Sequence, residues 1–203
     1  MEAALGVIAE RGLAATRMSD ISERAGMSPG HVLYYFRSKD RVLMEALRHV
    51  EDGMHHEAET ELATLPAGPE RLHRLLELNL PDGLADPTWT LWLEAWSIAP
   101  HDEAIRGLVA ELEDRWVRLL ADVVRSGVEA GAFACEDGDA AVTHLYATIN
   151  GLAVQVVTGL GGLGAADALA VCMRLAASEL GFGDAKGPGE TGAGARPRPR
   201  PRS

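Results

Sequence analysis

Residues 25–43 read AGMSPGHVLYYFRSKDRVL. Gly26 is a natural stop for one short helix, and Ser28 is a natural cap for the next, with Pro29 at its first position, where a missing N–H costs nothing. Phe36 ends that second helix and Ser38 caps a longer one. Two short helices separated by a three-residue turn, 26–28, form a helix-turn-helix pattern, whose second helix enters the DNA major groove while the first crosses the backbone. Within the second helix Val32 and Phe36 lie four apart and face inward. His31, Tyr34 and Tyr35 fall on the outer surface, where an imidazole or phenol can hydrogen-bond phosphate. Pro29, Gly30 and Leu33 remain at the groove-facing tip, so backbone groups, methyl contacts and DNA shape carry much of the expected readout. Lys39 adds a phosphate-seeking charge in the next helix, and Arg17, Ser19 and Ser28 complete the DNA-facing set. The bland alternative is a small hydrophobic turn whose tyrosines merely pack. Exposed paired tyrosines beside Lys and Arg weigh against it.

Net charge opposes this reading until it is divided along the chain. The 203 residues carry 30 Asp and Glu against 19 Lys and Arg. Residues 1–50 hold seven basic and six acidic side chains, 51–182 hold seven and 22, and 183–203 hold five and two. The N-terminal segment is thus exempt from the acidity of the body, as phosphate contact requires. Hydrophobic content of 47% suits a globular protein, and no apolar run approaches the ~20 residues of a bilayer span. The opening residues lack the features of a secretion signal, so a cytoplasmic location is expected and no membrane partner. Cys135 and Cys172 are expected as core thiols rather than a disulfide or zinc site.

Outward from the motif, helical periodicity dominates, and an all-α fold of about nine helices is expected. Helix one spans about 2–11 and stops at Gly12; helix two spans about 19–25, capped by Thr16 or Ser19; helix four runs from Ser38 toward Leu62. Five more follow over about 69–80, 88–99, 102–130, 137–158 and 165–180. The expected organisation is a helix-turn-helix DNA-binding domain at 1–48, an effector-binding and dimerisation domain at 49–182, and a disordered basic Pro/Arg tail at 183–203.

Gly159, Gly161 and Gly164 satisfy G-x-G-x-x-G, yet no second strand or acidic partner follows, so a loop is the better reading and no cofactor is expected. The flanking helices are apolar or small almost all round, including Ala147, Gly151, Val154, Leu169 and Leu175, which implies burial against a partner copy. Trp89, Trp92 and Trp96 share one helix face. With Trp116, Tyr146 and Asn150 they form either an aromatic cage for a cationic effector or ordinary core. His55, His56 and Glu59 are expected to be solvated surface rather than a metal site. No nucleophile and base stand at an interpretable spacing, so an enzyme is not expected.

The run GLAATRMSDISERAGMSPGHVLYYFRSKDRVL resembles the DNA-binding domain of the TetR family of bacterial transcriptional regulators, and WTLWLEAW, RWVRLLADVVRSGVEAGAF and INGLAVQVV resemble the C-terminal domain of its BetI-type subgroup. The resemblance implies base contact near Pro29, Gly30 and Leu33, phosphate contact from His31, Tyr34, Tyr35 and Lys39, and a four-helix dimer interface. It implies a homodimeric, ligand-responsive regulator, more often a repressor, on a palindromic double-stranded operator. The subgroup's choline-sensing namesake encourages the cage reading, although similar tryptophan patterns recur across the subgroup whatever the ligand, which favours core. Where relatives place a Thr cap before helix two, Arg17 stands here, and Leu33 replaces a frequent Tyr. The family also usually has several more residues ahead of helix one. The rival is a small-molecule binding protein or enzyme with a vestigial helix-turn-helix.

Overall fold

In the computed structural model, which describes residues 1–183, all regular elements among those residues are helical. Three short helices, α1 (Glu2–Ala15), α2 (Met18–Ala25) and α3 (Pro29–Phe36), precede the long α4 (Lys39–Leu62). There follow α5 (Pro69–Leu78), α6 (Pro87–Ile98), α7 (Glu103–Glu129), α8 (Gly138–Thr158) and α9 (Ala165–Leu180), with one 3-10 turn, Leu160–Gly162, before the last. The Arg-Pro repeat of the expected tail lies outside the described residues.

Helix starts follow local chemistry. Ser28 Oγ accepts from the His31 N–H at 3.3 Å and Ser38 Oγ from the Arg41 N–H at 3.2 Å. Asp86, Asp102 and Asp137 do the same for α6, α7 and α8. Each cap satisfies an amide that the first turn would otherwise orphan. The second helix departs from expectation. The Thr16 hydroxyl is buried and donates back to the Gly12 carbonyl at 2.7 Å, so it caps nothing downstream. Ser19 sits inside α2, and Asp20 reaches back instead, accepting from the Arg17 N–H at 3.0 Å. Gly12 breaks the first helix as expected, with a non-helical φ of 73° and ψ of 160°, and a further short helical stretch to Ala15 follows the kink.

Ala4, Val7, Ile8, Ile21, Val32, Val42 and Leu43 close a small core among α1–α4. Arg37, with a φ of 60°, supplies the abrupt turn between α3 and α4. A non-glycine residue in this region carries strain, and the turn sets Lys39 directly beyond the aromatic cluster. In the body, α7 packs on α8 and α8 on α9, while α4 touches α1, α3, α5, α6 and α7. Helix α4 is thus shared by the three-helix group and the body, and α1 also packs on α6.

By length and composition α8 could cross a membrane, contrary to the expectation that no stretch approaches such a span. It is instead a core helix, burying Ala141, Leu145, Ile149 and Ala153. Its outer side and that of α9 leave Ala147 and Gly151 exposed and Val154, Leu169 and Leu175 half-buried. Gly159 ends α8 in a left-handed cap, and among the described residues no strand precedes the glycine run. Cys172 is buried, which pushes its thiol up to about 11, and Cys135 is half-buried.

Candidate functional site

Two sites emerge, one on α3 and one enclosed by α4–α8. On α3, Val32 is buried and Phe36 half-buried against the core, which turns the opposite face outward. Tyr34 and Tyr35 are 78% and 65% exposed. The His31 ring stacks on Tyr35 with centroids 5.3 Å apart, and Tyr34 meets Tyr35 edge-on at 5.8 Å. The three rings thus form a ledge that presents two hydroxyls and an imidazole on a short, fixed element. Pro29, Gly30 and Leu33 stand exposed at the tip, and Arg17, Ser19 and Ser28 are exposed around it. Lys39 lies half-buried in the first turn of α4.

The second site unites all six residues singled out as a possible effector set. Trp89, Trp92, Trp96, Trp116, Tyr146 and Asn150 line one cavity together with Glu51, Met54, Leu78, Asn79 and Thr88. Trp92 and Trp96 lie 5.5 Å apart by centroid, and Trp89 meets Trp96 edge-on at 6.0 Å. Its space is about 30 Å³, room for about two or three waters at the ~10–15 Å³ each requires.

Glu51 was not anticipated, and it changes what the aromatic cluster can do. It is 2% exposed. Its two carboxylate oxygens each accept an indole N–H, from Trp92 and from Trp116, both at 2.6 Å. Burial pushes its carboxyl above the ordinary 4.5, while the two indole donors, Arg115 and His55 pull the other way. A buried carboxylate held by two indole N–H edges beside a cluster of indole rings can attract a cation: the charge supplies attraction and the ring faces of the cluster supply negative π surface. Trp96 in turn donates to Glu113 at 2.9 Å. The Tyr146 phenol is held above its usual range by burial first and by Glu113 second, and it is hydrogen-bonded to Asn150. The signal for Glu51 lay in the helical period: it falls four residues after Leu47 and four before His55, in a run whose other members face the core.

His55 is a correction. It is buried rather than solvated, its ring meeting Trp116 edge-on at 5.3 Å on the outer side of the cage. Its Nδ1 lies 3.5 Å from Glu59, and His56 and Glu59 are exposed. Helix α4 is fastened to α7 along this same stretch. Arg48 donates to both oxygens of Glu111, at 2.7 and 2.9 Å, and Arg115 pairs with Asp52 at 2.6 Å.

An all-helical chain with a helix-turn-helix at one end and an internal cavity touched by the connecting helix belongs to the class of one-component helical regulators. The chain is a member of the TetR family. Residues 1–46 match the family described as bacterial regulatory proteins, tetR family, and residues 68–181 match the BetI-type transcriptional repressor, C-terminal. The HTH-type transcriptional regulator BetI of Rhizobium meliloti (strain 1021) is 31% identical over 110 residues, 54% of each chain. That of Burkholderia thailandensis is 33% identical over 110 residues, 53% of this chain and 56% of its own. The chain therefore spans about half the length of the curated relatives it matches. Among solved structures, one described as a transcriptional regulator from Saccharomonospora viridis in complex with choline is 34% identical, with a TM-score of 0.81, covering 88% of this chain and 94% of that one. A regulator from Pseudomonas aeruginosa PAO1 is 25% identical with a TM-score of 0.69, covering 87% and 86%. FadR from Bacillus subtilis, solved with stearoyl-CoA, shares 16% identity and a TM-score of 0.66 over 88% and 96%, a likeness of fold alone.

Proposed function

We propose that this protein is a cytoplasmic, homodimeric transcriptional repressor, not an enzyme, that releases a palindromic operator when a small quaternary ammonium cation of the choline type enters the tryptophan cage. The observation that carries the reading is Glu51. A carboxylate with no solvent, held by two indole N–H groups, costs folding energy that a resident cation would offset. The choline bound by the Saccharomonospora viridis relative supports the same ligand chemistry.

In this reading residues 1–48 are the DNA-binding unit and 49–182 the effector-binding and dimerisation unit. Pro29, Gly30 and Leu33 meet base edges, while Arg17, Ser19, Ser28, His31, Tyr34, Tyr35 and Lys39 hold the backbone. The apolar outer stripe of α8 and α9, through Ala147, Gly151, Val154, Leu169 and Leu175, is covered by a second copy. Two recognition helices then fall on half-sites about 34–36 Å apart. Choline has seven non-hydrogen atoms, so in this reading seating it in a cavity of about 30 Å³ widens the cavity. The wall that would give way on entry includes α4, which carries Glu51 and Met54 and adjoins the recognition motif.

Footprinting of DNA flanking the coding region, with and without choline, tests this. The expected result is one protected, roughly palindromic site that choline exposes. Absence of any protected site would overturn the regulator reading in favour of a binding protein with a vestigial motif.

A further inference from the structure

The cage has more negative charge around it than one cation needs. Glu51 sits inside the wall, and Glu113 stands immediately behind Trp96, half-buried and accepting that indole's N–H. Tyr146, whose ring lines the cavity, feels both carboxylates. No Lys, Arg or His is among the residues that line the cavity. Arg115 pairs with Asp52, and Glu113 accepts the Trp96 N–H. Arg115 and His55 stand outside that lining, and both act on Glu51. The remaining polar lining is neutral: Asn79, Thr88 and Asn150.

One bound cation neutralises one carboxylate and leaves the second uncompensated. A neutral hydroxyl arm meets neutral partners in Asn79, Thr88 and Asn150. A ligand with the same trimethylammonium head but a carboxylate arm brings its own negative charge into a site that still holds one. Among the lining residues it finds no cation to receive it. We propose that Glu113 is a specificity-determining residue: it makes the cage select cations with a neutral arm and exclude zwitterions with the same head group. Glu51 attracts the head; Glu113, through the field it casts across Trp96 and Tyr146, rejects the carboxylate arm.

This inference rests on the cation-cage reading, and its test separates the two. Calorimetric titration of the full chain with choline and with trimethylammonioacetate gives an affinity ratio for the wild type, for Glu113→Gln and for Glu113→Asp. Removing a like charge from a low-dielectric wall is expected to narrow the ratio by about tenfold. The change should come chiefly from tighter zwitterion binding, with choline weakened only a few-fold. Glu113→Asp keeps the charge while shortening the side chain, so its ratio stays nearly as wide as the wild type's; a merely structural role for Glu113 would move both variants alike. Should Glu113→Gln fail to fold, Glu113→Met, neutral and of similar length, serves in its place. A ratio unchanged in a folded, choline-binding neutral variant overturns the proposal. Failure of the wild type to bind choline overturns the cage reading itself.

Discussion

Replacing Glu51 with Gln keeps the shape of the cage and removes its charge. Both carboxylate oxygens are engaged, with Trp92 and Trp116 at 2.6 Å each. A trimethylammonium group in van der Waals contact with those indoles would sit ~4–5 Å from the carboxylate, an attraction of about 3–4 kcal/mol at an effective dielectric near 20. Burial pushes Glu51 toward its protonated form, so part of that attraction is spent on releasing the proton. A net loss of ~2–3 kcal/mol is expected, about 30- to 150-fold in Kd. Isothermal titration with choline measures it, and 3,3-dimethylbutanol, the uncharged carbon analogue, isolates the charge: it should bind both proteins weakly and alike. The amide also turns an N–H toward one indole donor, so a thermal melt without ligand should accompany the titration to confirm folding. If folded Glu51→Gln binds choline within threefold of the wild type, or if the wild type holds the neutral analogue as well as choline, the carboxylate is not a counter-ion.

Four further outcomes are expected. Because burial raises the folded-state pKa of Glu51 above 4.5, the ligand-free protein gains stability by proton uptake at Glu51 below the raised value and loses that gain as pH rises through it. A bound cation needs the ionised form, so choline affinity should fall about tenfold per unit as pH drops below that value; melts with and without choline must diverge as pH rises, and parallel curves would contradict this. Lys39→Ala should weaken operator binding and lower the magnitude of the log K against log salt slope by about 1, with little change in sequence preference. Tyr34→Phe should weaken binding without altering that preference, whereas Leu33 substitutions should alter it; filter binding against a randomised site library would show the reverse if the tip is misassigned. Arg48→Ala should leave choline affinity nearly unchanged yet reduce the factor by which choline weakens operator binding, read by titrating operator with and without saturating choline; an unchanged factor would remove Arg48 from the coupling.

Much of the architecture was legible because its determinants are local. Ser28, Pro29 and Ser38 set helix starts within one turn, and the period of Val32 and Phe36 fixed which face of α3 points out. Where the sequence misled, a residue acted at a distance its own neighbourhood does not encode. Thr16 looked like a cap but spends its hydroxyl on the Gly12 carbonyl. His55 looked like exposed polar surface until Trp116, 61 positions later by number, supplied a ring to pack against. The tryptophans were visible as a stripe, yet stripe and core look identical until the partner of the indole nitrogens is known. That partner, Glu51, lies 41 and 65 positions from its two donors, so pattern alone could show it only as an acidic residue at a core position of α4.

The placement of Glu51 also says why a small cation could move a recognition helix far enough to matter in the proposed mechanism. Glu51 lies three residues beyond Arg48 and twelve beyond Lys39, or ~4.5 Å and ~18 Å along α4 at 1.5 Å per residue. The bidentate Arg48–Glu111 pair grips α4 on the head side of the cage, a natural fulcrum. Displacing Glu51 by about 1 Å about that point moves the start of α4 by roughly three times as much, since Lys39 is ~13.5 Å on the other side. In a two-fold dimer the shifts in the two protomers add, giving a change of several ångströms against a required half-site spacing of about 34–36 Å. The fulcrum is partly exposed, at 41% and 50% for its two side chains, and exposed pairs contribute only ~0.2–1 kcal/mol. A contact that weak is well suited to a pivot: it aligns α4 without locking it, so the ~2–3 kcal/mol drawn from cation and carboxylate is not consumed in breaking it.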